Sequence, residues 1–167
     1  SCRTRPPSDA RSPRRFSHRL RAARPEHTIL CAFSVQEEVG LRGTGSAAYT
    51  LRPDVALAIE NTTATDVPGV PPSRIVAEMG RGPAVTVADN SHIVPRAVLD
   101  RIRKAGEGLR WQYKKPTYGG TDAGRIALSR SGVATGIVSV PCRYIHAPLA
   151  MLDVRDIEET IELVARF

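Results

Sequence analysis

The chain has 167 residues, enough for one domain with a sizeable core, and its formal charge of +7 would suit nucleic acid or an acidic membrane as partner. That excess is confined to the start: residues 1–25 carry eight arginines and one acid, Asp9, whereas residues 26–167 carry 16 basic and 16 acidic residues. The folded part is electrically balanced, so charge excludes nothing about its partner, while Phe16 as the one aromatic of the tail ranks nucleic-acid binding last. No apolar run reaches membrane-spanning length or resembles a signal peptide, and three distant cysteines, Cys2, Cys31 and Cys142, support neither a disulfide framework nor a cysteine zinc site. These features predict a soluble chain in a reducing, cytoplasmic setting, with no nucleic acid and no membrane.

Residues 1–25, rich in Arg, Pro and Ser, lack the apolar periodicity that could bury a face and are expected to be disordered. Thr28–Val35 is short, apolar and bounded by polar residues, which predicts a strand buried on both faces, running on to Gln36. Thr44–Leu51 reads as a helix stopped by Arg52-Pro53, and Val55–Glu60 as the next strand, ending on its acid. Prolines and glycines leave Asp66–Gly82 as a loop. Ala84–Ala88 alternates as a strand, Pro95–Gly106 carries Val98, Ile102 and Ala105 on one helical face, and Leu109–Lys114 is a short strand. Gly124–Ser131 follows as a helix and Ala134–Val140 as a buried strand. Val154–Phe167 closes as an amphipathic helix with Ile157, Ile161, Val164 and Ala165 inward. Alternating strands and helices of this kind predict an α/β sheet over residues 26–167.

Two adjacent acids, Glu37 and Glu38, stand where the first predicted strand runs out and are followed at once by Gly40 and Gly43. On an extended backbone neighbouring side chains point to opposite sides, so the two carboxylates divide their work: one can hold a metal while the other moves a proton. On spacing alone a solvated first helical turn is the favoured explanation. Glu60 and His146 also fall at or beyond predicted strand ends, where open α/β sheets place their ligands.

Four stretches in order carry a resemblance: Val35-Gln36-Glu37-Glu38-Val39-Gly40-Leu41-Arg42-Gly43; Ala58-Ile59-Glu60-Asn61-Thr62-Thr63 through Asp66-Val67-Pro68-Gly69; Gly119-Gly120-Thr121-Asp122-Ala123-Gly124; and Ser139-Val140-Pro141-Cys142-Arg143-Tyr144-Ile145-His146. Together they resemble the catalytic domain of the glutamyl and leucyl aminopeptidases, dinuclear metallopeptidases that include the tetrahedral aminopeptidases. The resemblance covers about Glu26 to Phe167 and implies a three-layer αβα zinc-peptidase-like domain with a mixed, mostly parallel sheet. It implies that Glu37 is the general base, that Glu38 and His146 are ligands of one divalent zinc or cobalt ion, and that Glu60 is a ligand of a second. Gly119, Gly120 and Thr121 would meet the peptide substrate, Asp122 has no assigned role, and the family's homo-oligomers include dodecamers.

The family's bridging Asp and one His ligand have no counterpart here, so the chain reads as an N-terminally truncated, C-terminal part of the domain. Asp9-Ala10-Arg11 echoes the bridging motif only faintly. The expected function is a metal-dependent aminopeptidase, with a non-catalytic remnant of the same family as the alternative. His27 and His92 are expected to be loop residues.

Overall fold

A computed structural model describes Arg19 and residues 27–117 and 119–167. The disordered tail expected for residues 1–25 lies outside the described residues except for Arg19, whose guanidinium donates to Glu162 at 2.6 and 2.8 Å.

Helix α1 spans Arg42–Leu51 and ends where Arg52 turns left-handed at φ 53° and its N–H bonds back to Ala48, with Pro53 unable to continue the turn. Strand β1 is Val55–Thr63, so Glu60 does not end it: the strand runs three residues further, because β4 offers a continuous parallel partner from Val55↔Ala134 to Thr63↔Cys142. The loop expected over Asp66–Gly82 contains one 3-10 turn, Pro72–Arg74. Then come β2 (Ala84–Thr86), α2 (Arg96–Ala105), β3 (Gln112–Lys114) and α3 (Asp122–Ala127). The chain finishes with β4 (Ala134–Arg143), β5 (Met151–Leu152) and α4 (Val154–Arg166).

The sheet order is β1-β4-β2-β3, with β5 added beside β4. Most paired residues are parallel, through β1 on β4 and β2 on β3, while β2 and β5 meet β4 antiparallel. Strand β4 is the axis of the domain. It is buried at eight successive positions, and because successive side chains point to opposite faces, both faces must be covered. Gly136 faces α2, where a Cβ would stand 2.9 Å from Val98 and Ile102 and 2.7 Å from Leu57, so only glycine lets that helix approach. Helix α3 covers the opposite face, packed on α1, which gives the three layers; Val85, Ile102, Ile137, Val138 and Leu163 are fully buried at the centre.

Two further expectations need correction. Thr28–Val35 forms no strand, and Ile29, Leu30, Phe33 and Val35 are exposed. An apolar run becomes a buried strand only where a neighbour pairs its backbone, and none of the described strands does. In α4 the most buried face is Asp156, Thr160 and Leu163, with Ile157, Ile161, Val164 and Ala165 only half-buried. The stripe is rotated by one residue because the Asp156 carboxylate has inward work, accepting the N–H groups of Gly80 and Gly82.

Candidate active site

The carboxyl ends of β1 and β4 lie side by side, and the start of α3 is tied to Glu60 of β1 and to Ser34 through Asp122. The chain reaches the two acids through a tight reversal: Gln36 is left-handed at φ 60°, and the Glu37 carbonyl accepts the N–H groups of Gly40 and Leu41 at 3.1 and 2.9 Å. Gly43 donates to the Val35 carbonyl at 3.0 Å, and a Cβ there would stand 2.6 Å from that oxygen, so the reversal requires glycine.

Glu38 and His146 meet: Oε2 lies 3.1 Å from Nε2, with the two side chains 70% and 67% exposed. His146 is delivered by a turn beyond β4 in which Tyr144 and His146 are both left-handed, at φ 61° and 64°. Glu60 projects from β1, and its Oε1 accepts the backbone N–H of Asp122 at 2.9 Å. Asp122 Oδ2 takes the Ser34 hydroxyl at 2.6 Å, while its Oδ1 is buried with no hydrogen-bond partner among the described residues.

Burial pushes the Glu60 carboxyl up to about 7; the Asp122 N–H opposes this, the Glu37 and Asp122 charges add to it, and Lys114 opposes it. Burial also raises the Glu37 carboxyl, helped by Glu38 and Asp122 and opposed by His146. The four predicted site residues therefore sense one another: Glu38 pairs with His146, Glu37 feels both of them and Asp122, and Glu60 feels Glu37 and Asp122.

Gly119, Gly120 and Thr121 are held against the turn 89–92. The Thr121 N–H donates to Ser91 Oγ at 3.1 Å and its hydroxyl to Asp89 Oδ2 at 2.9 Å, so the side chain does not cap α3. A Cβ on Gly120 or Gly124 would stand 2.9 or 2.6 Å from Ser91 Cβ. Asp89 Oδ1 anchors that turn through Ser91 and His92. His92, a loop residue as expected, has its Nε2 2.9 Å from the Thr135 carbonyl oxygen. Sequence reasoning missed Ser34, Asp89, Lys114 and Asp122; only Asp122 lay in a recognisable motif, and it had no assigned role there.

In the metal-free protein the raised Glu60 carboxyl has a consequence for stability. The folded chain binds this proton more tightly than the unfolded chain, so its contribution is complete below the ordinary 4.5 and is lost as pH rises through about 7. Allowing for partial screening, the loss is about 1–3 kcal/mol. Glu60→Gln is expected to remove this component of the pH dependence, which denaturant midpoints at pH 5 and pH 8 would measure.

Carboxylate oxygen, imidazole nitrogen and an orphaned Asp122 oxygen are the right chemistry for a hard or borderline cation. Their number is not: no three His, Cys, Asp or Glu side chains among the described residues are arranged to hold a metal ion. The donors make parts of a metal site, not a closed one.

The architecture is thus an α/β domain with a carboxylate and imidazole cluster at the carboxyl ends of parallel strands. The sequence profile of the M42 glutamyl aminopeptidases matches residues 15–163, and the chain belongs to that family, whose aminopeptidases are metal-dependent. It is 36% identical over 138 residues to the lysyl aminopeptidase of Pyrococcus furiosus, an alignment covering 83% of this chain and 39% of that protein. The aminopeptidase APDkam598 of Desulfurococcus kamchatkensis superposes with a TM-score of 0.77 at 40% identity, over 80% of this chain and 38% of that one. The Pyrococcus horikoshii TET1 peptidase, which can assemble into a tetrahedron or a large octahedral shell, superposes with a TM-score of 0.65 at 30% identity, over 80% and 38%. The chain therefore spans about two fifths of the length of the relatives it matches.

Proposed function

We propose that this chain carries the general base and part of the metal-ligand set of an aminopeptidase that removes N-terminal residues from peptides. The observation that supports this most is the convergence of Glu37, Glu38, Glu60 and His146, from three separate segments, on the neighbouring carboxyl ends of β1 and β4. In this reading Glu37 takes the proton from the attacking water and delivers it to the leaving amine, for which a carboxyl raised by burial is suited. Glu38 and His146 would hold one zinc or cobalt ion and Glu60 a second, and such ions, when bound, polarise the scissile carbonyl. Gly119 and Gly120 bring backbone to the substrate, with Thr121 locking their loop. Homo-oligomers such as dodecamers and a cytoplasmic setting belong to the same reading; the thiols of Cys31 and Cys142 are free, and no helix among the described residues is long and apolar enough to cross a membrane.

The second reading, a non-catalytic remnant, draws on the lack of any three-donor cluster among the described residues. Calorimetric titration with zinc and cobalt addresses both. Because each ion has at most two of its ligands, affinity is expected to fall at least about 100-fold below that of the Pyrococcus furiosus lysyl aminopeptidase. Two tight sites per chain would show that the ligand set is complete. Cobalt-dependent hydrolysis of leucine- or glutamate-anilide supports the aminopeptidase reading, and its absence at saturating cobalt supports the remnant.

A further inference from the structure

One face of the sheet carries a polar row of which the peptidase chemistry uses only Glu60. Strand register sets it: Glu60 pairs with Ser139, Ser139 with Ala84, and Lys114 with Thr86, two residues on from Ala84. Paired residues, and residues two apart on one strand, share a face, so Glu60, Ser139, Thr86 and Lys114 all project to the same side. Ser139 is 1% and Thr86 0% exposed, yet neither hydroxyl has a hydrogen-bond partner among the described residues. Lys114 is 8% exposed and makes no direct ion pair among the described residues; it feels Asp89 and Glu60 at longer range, and burial holds its ammonium below the usual value.

With neighbouring strands about 4.8 Å apart and Lys114 offset by two residues along them, the backbones of Glu60 and Lys114 are separated by about 16 Å, across β4 and β2. The two orphan hydroxyls stand on the strands between them. Ala58 and Ala84 contribute only methyl groups to this face, beside the larger buried Ile137. Two buried hydroxyls, an ammonium and a carboxylate without mutual bonds form the setting in which ordered water is found, since a buried water makes about three hydrogen bonds to groups otherwise unpaired.

We propose that Glu60, Ser139, Thr86 and Lys114 enclose a buried water site, one or two molecules that join the Lys114 ammonium to the Glu60 carboxyl through the hydroxyls of Ser139 and Thr86. Water fits where an ion does not. A cation is repelled by Lys114, and an anion by Glu60 and Asp89, whereas water both donates and accepts. The site places a counter-charge behind Glu60 without touching the outer face of the cluster. It does not depend on the peptidase reading, because the test uses metal-free protein and no substrate.

The sign of two conservative substitutions decides the matter. A hydroxyl that is truly unpaired costs stability, so Thr86→Val and Ser139→Ala would then leave the folding equilibrium constant unchanged or raise it; a hydroxyl bonded to water stabilises, so each should lower it about fivefold. Lys114→Met combined with Thr86→Val should show a coupling of about fivefold, since the two share water, whereas Lys114→Arg combined with Thr86→Val should retain much of the Thr86 effect. A crystal of the metal-free chain should show water within hydrogen-bond distance of Lys114 Nζ and of Ser139 Oγ or Thr86 Oγ1. A dry row, or hydroxyl deletions that stabilise the fold and combine additively with Lys114→Met, would overturn the proposal.

Discussion

Glu37→Gln is expected to lower anilide turnover by about 10²- to 10⁴-fold while leaving cobalt affinity nearly unchanged, because the amide keeps the shape of the side chain but cannot take a proton. Glu38→Gln should do the reverse, weakening cobalt binding and losing activity that high cobalt partly restores. The two acids have different surroundings: Glu38 touches His146 at 3.1 Å, whereas the Glu37 carboxyl is raised by burial and by the Glu38 and Asp122 charges. Both variants would be assayed across a cobalt titration with leucine- and glutamate-anilide. Rescue of Glu37→Gln by metal, with Glu38→Gln unrescued, would reverse the two roles; no difference of either from the parent would favour the remnant.

Asp156→Ala should destabilise the fold by about 2–5 kcal/mol, since it leaves two peptide N–H groups without an acceptor. The Asp156 side chain is fully buried, and its two oxygens each accept a backbone N–H at 2.7 Å, from Gly80 and from Gly82. The loop cannot easily move to find other partners. Gly80 and Gly82 are left-handed at φ 86° and 81°, and a Cβ on Gly82 would stand 2.3 Å from the Arg110 carbonyl oxygen. Asp156→Asn, which keeps one acceptor and turns a donor toward the other N–H, should lose a smaller amount. Urea unfolding of both variants measures this, and a loss below about 1 kcal/mol for Asp156→Ala would mean that solvent reaches the two amides readily.

Much of the site was legible because its residues sit in local motifs whose punctuation survives in one dimension. Glu37 and Glu38 follow an apolar run and precede glycines, and the structure shows why the glycines are there: Gly43 lies on the backbone of Val35. His146 was placed just past a strand whose β-branched residues did form β4. Asp122 and Lys114 were not legible in this way. Their proximity to Glu60 depends on where α3 and β3 land relative to β1, and the separations of 62 and 54 residues leave no local trace.

The sequence by itself determined the family resemblance, the alternation of strands and helices, the apolar face of α2 and the residues that would gather at the strand ends, because each rests on short-range periodicity and residue chemistry. Only the tertiary structure decided which predicted elements exist as drawn. Thr28–Val35 has every local mark of a buried strand and is not one, since strand formation needs a partner's backbone and composition cannot supply it. Helix α4 turned a charged residue inward for the same kind of reason: two glycine amides from a distant loop required an acceptor, and Asp156 was the side chain that the fold brought to them.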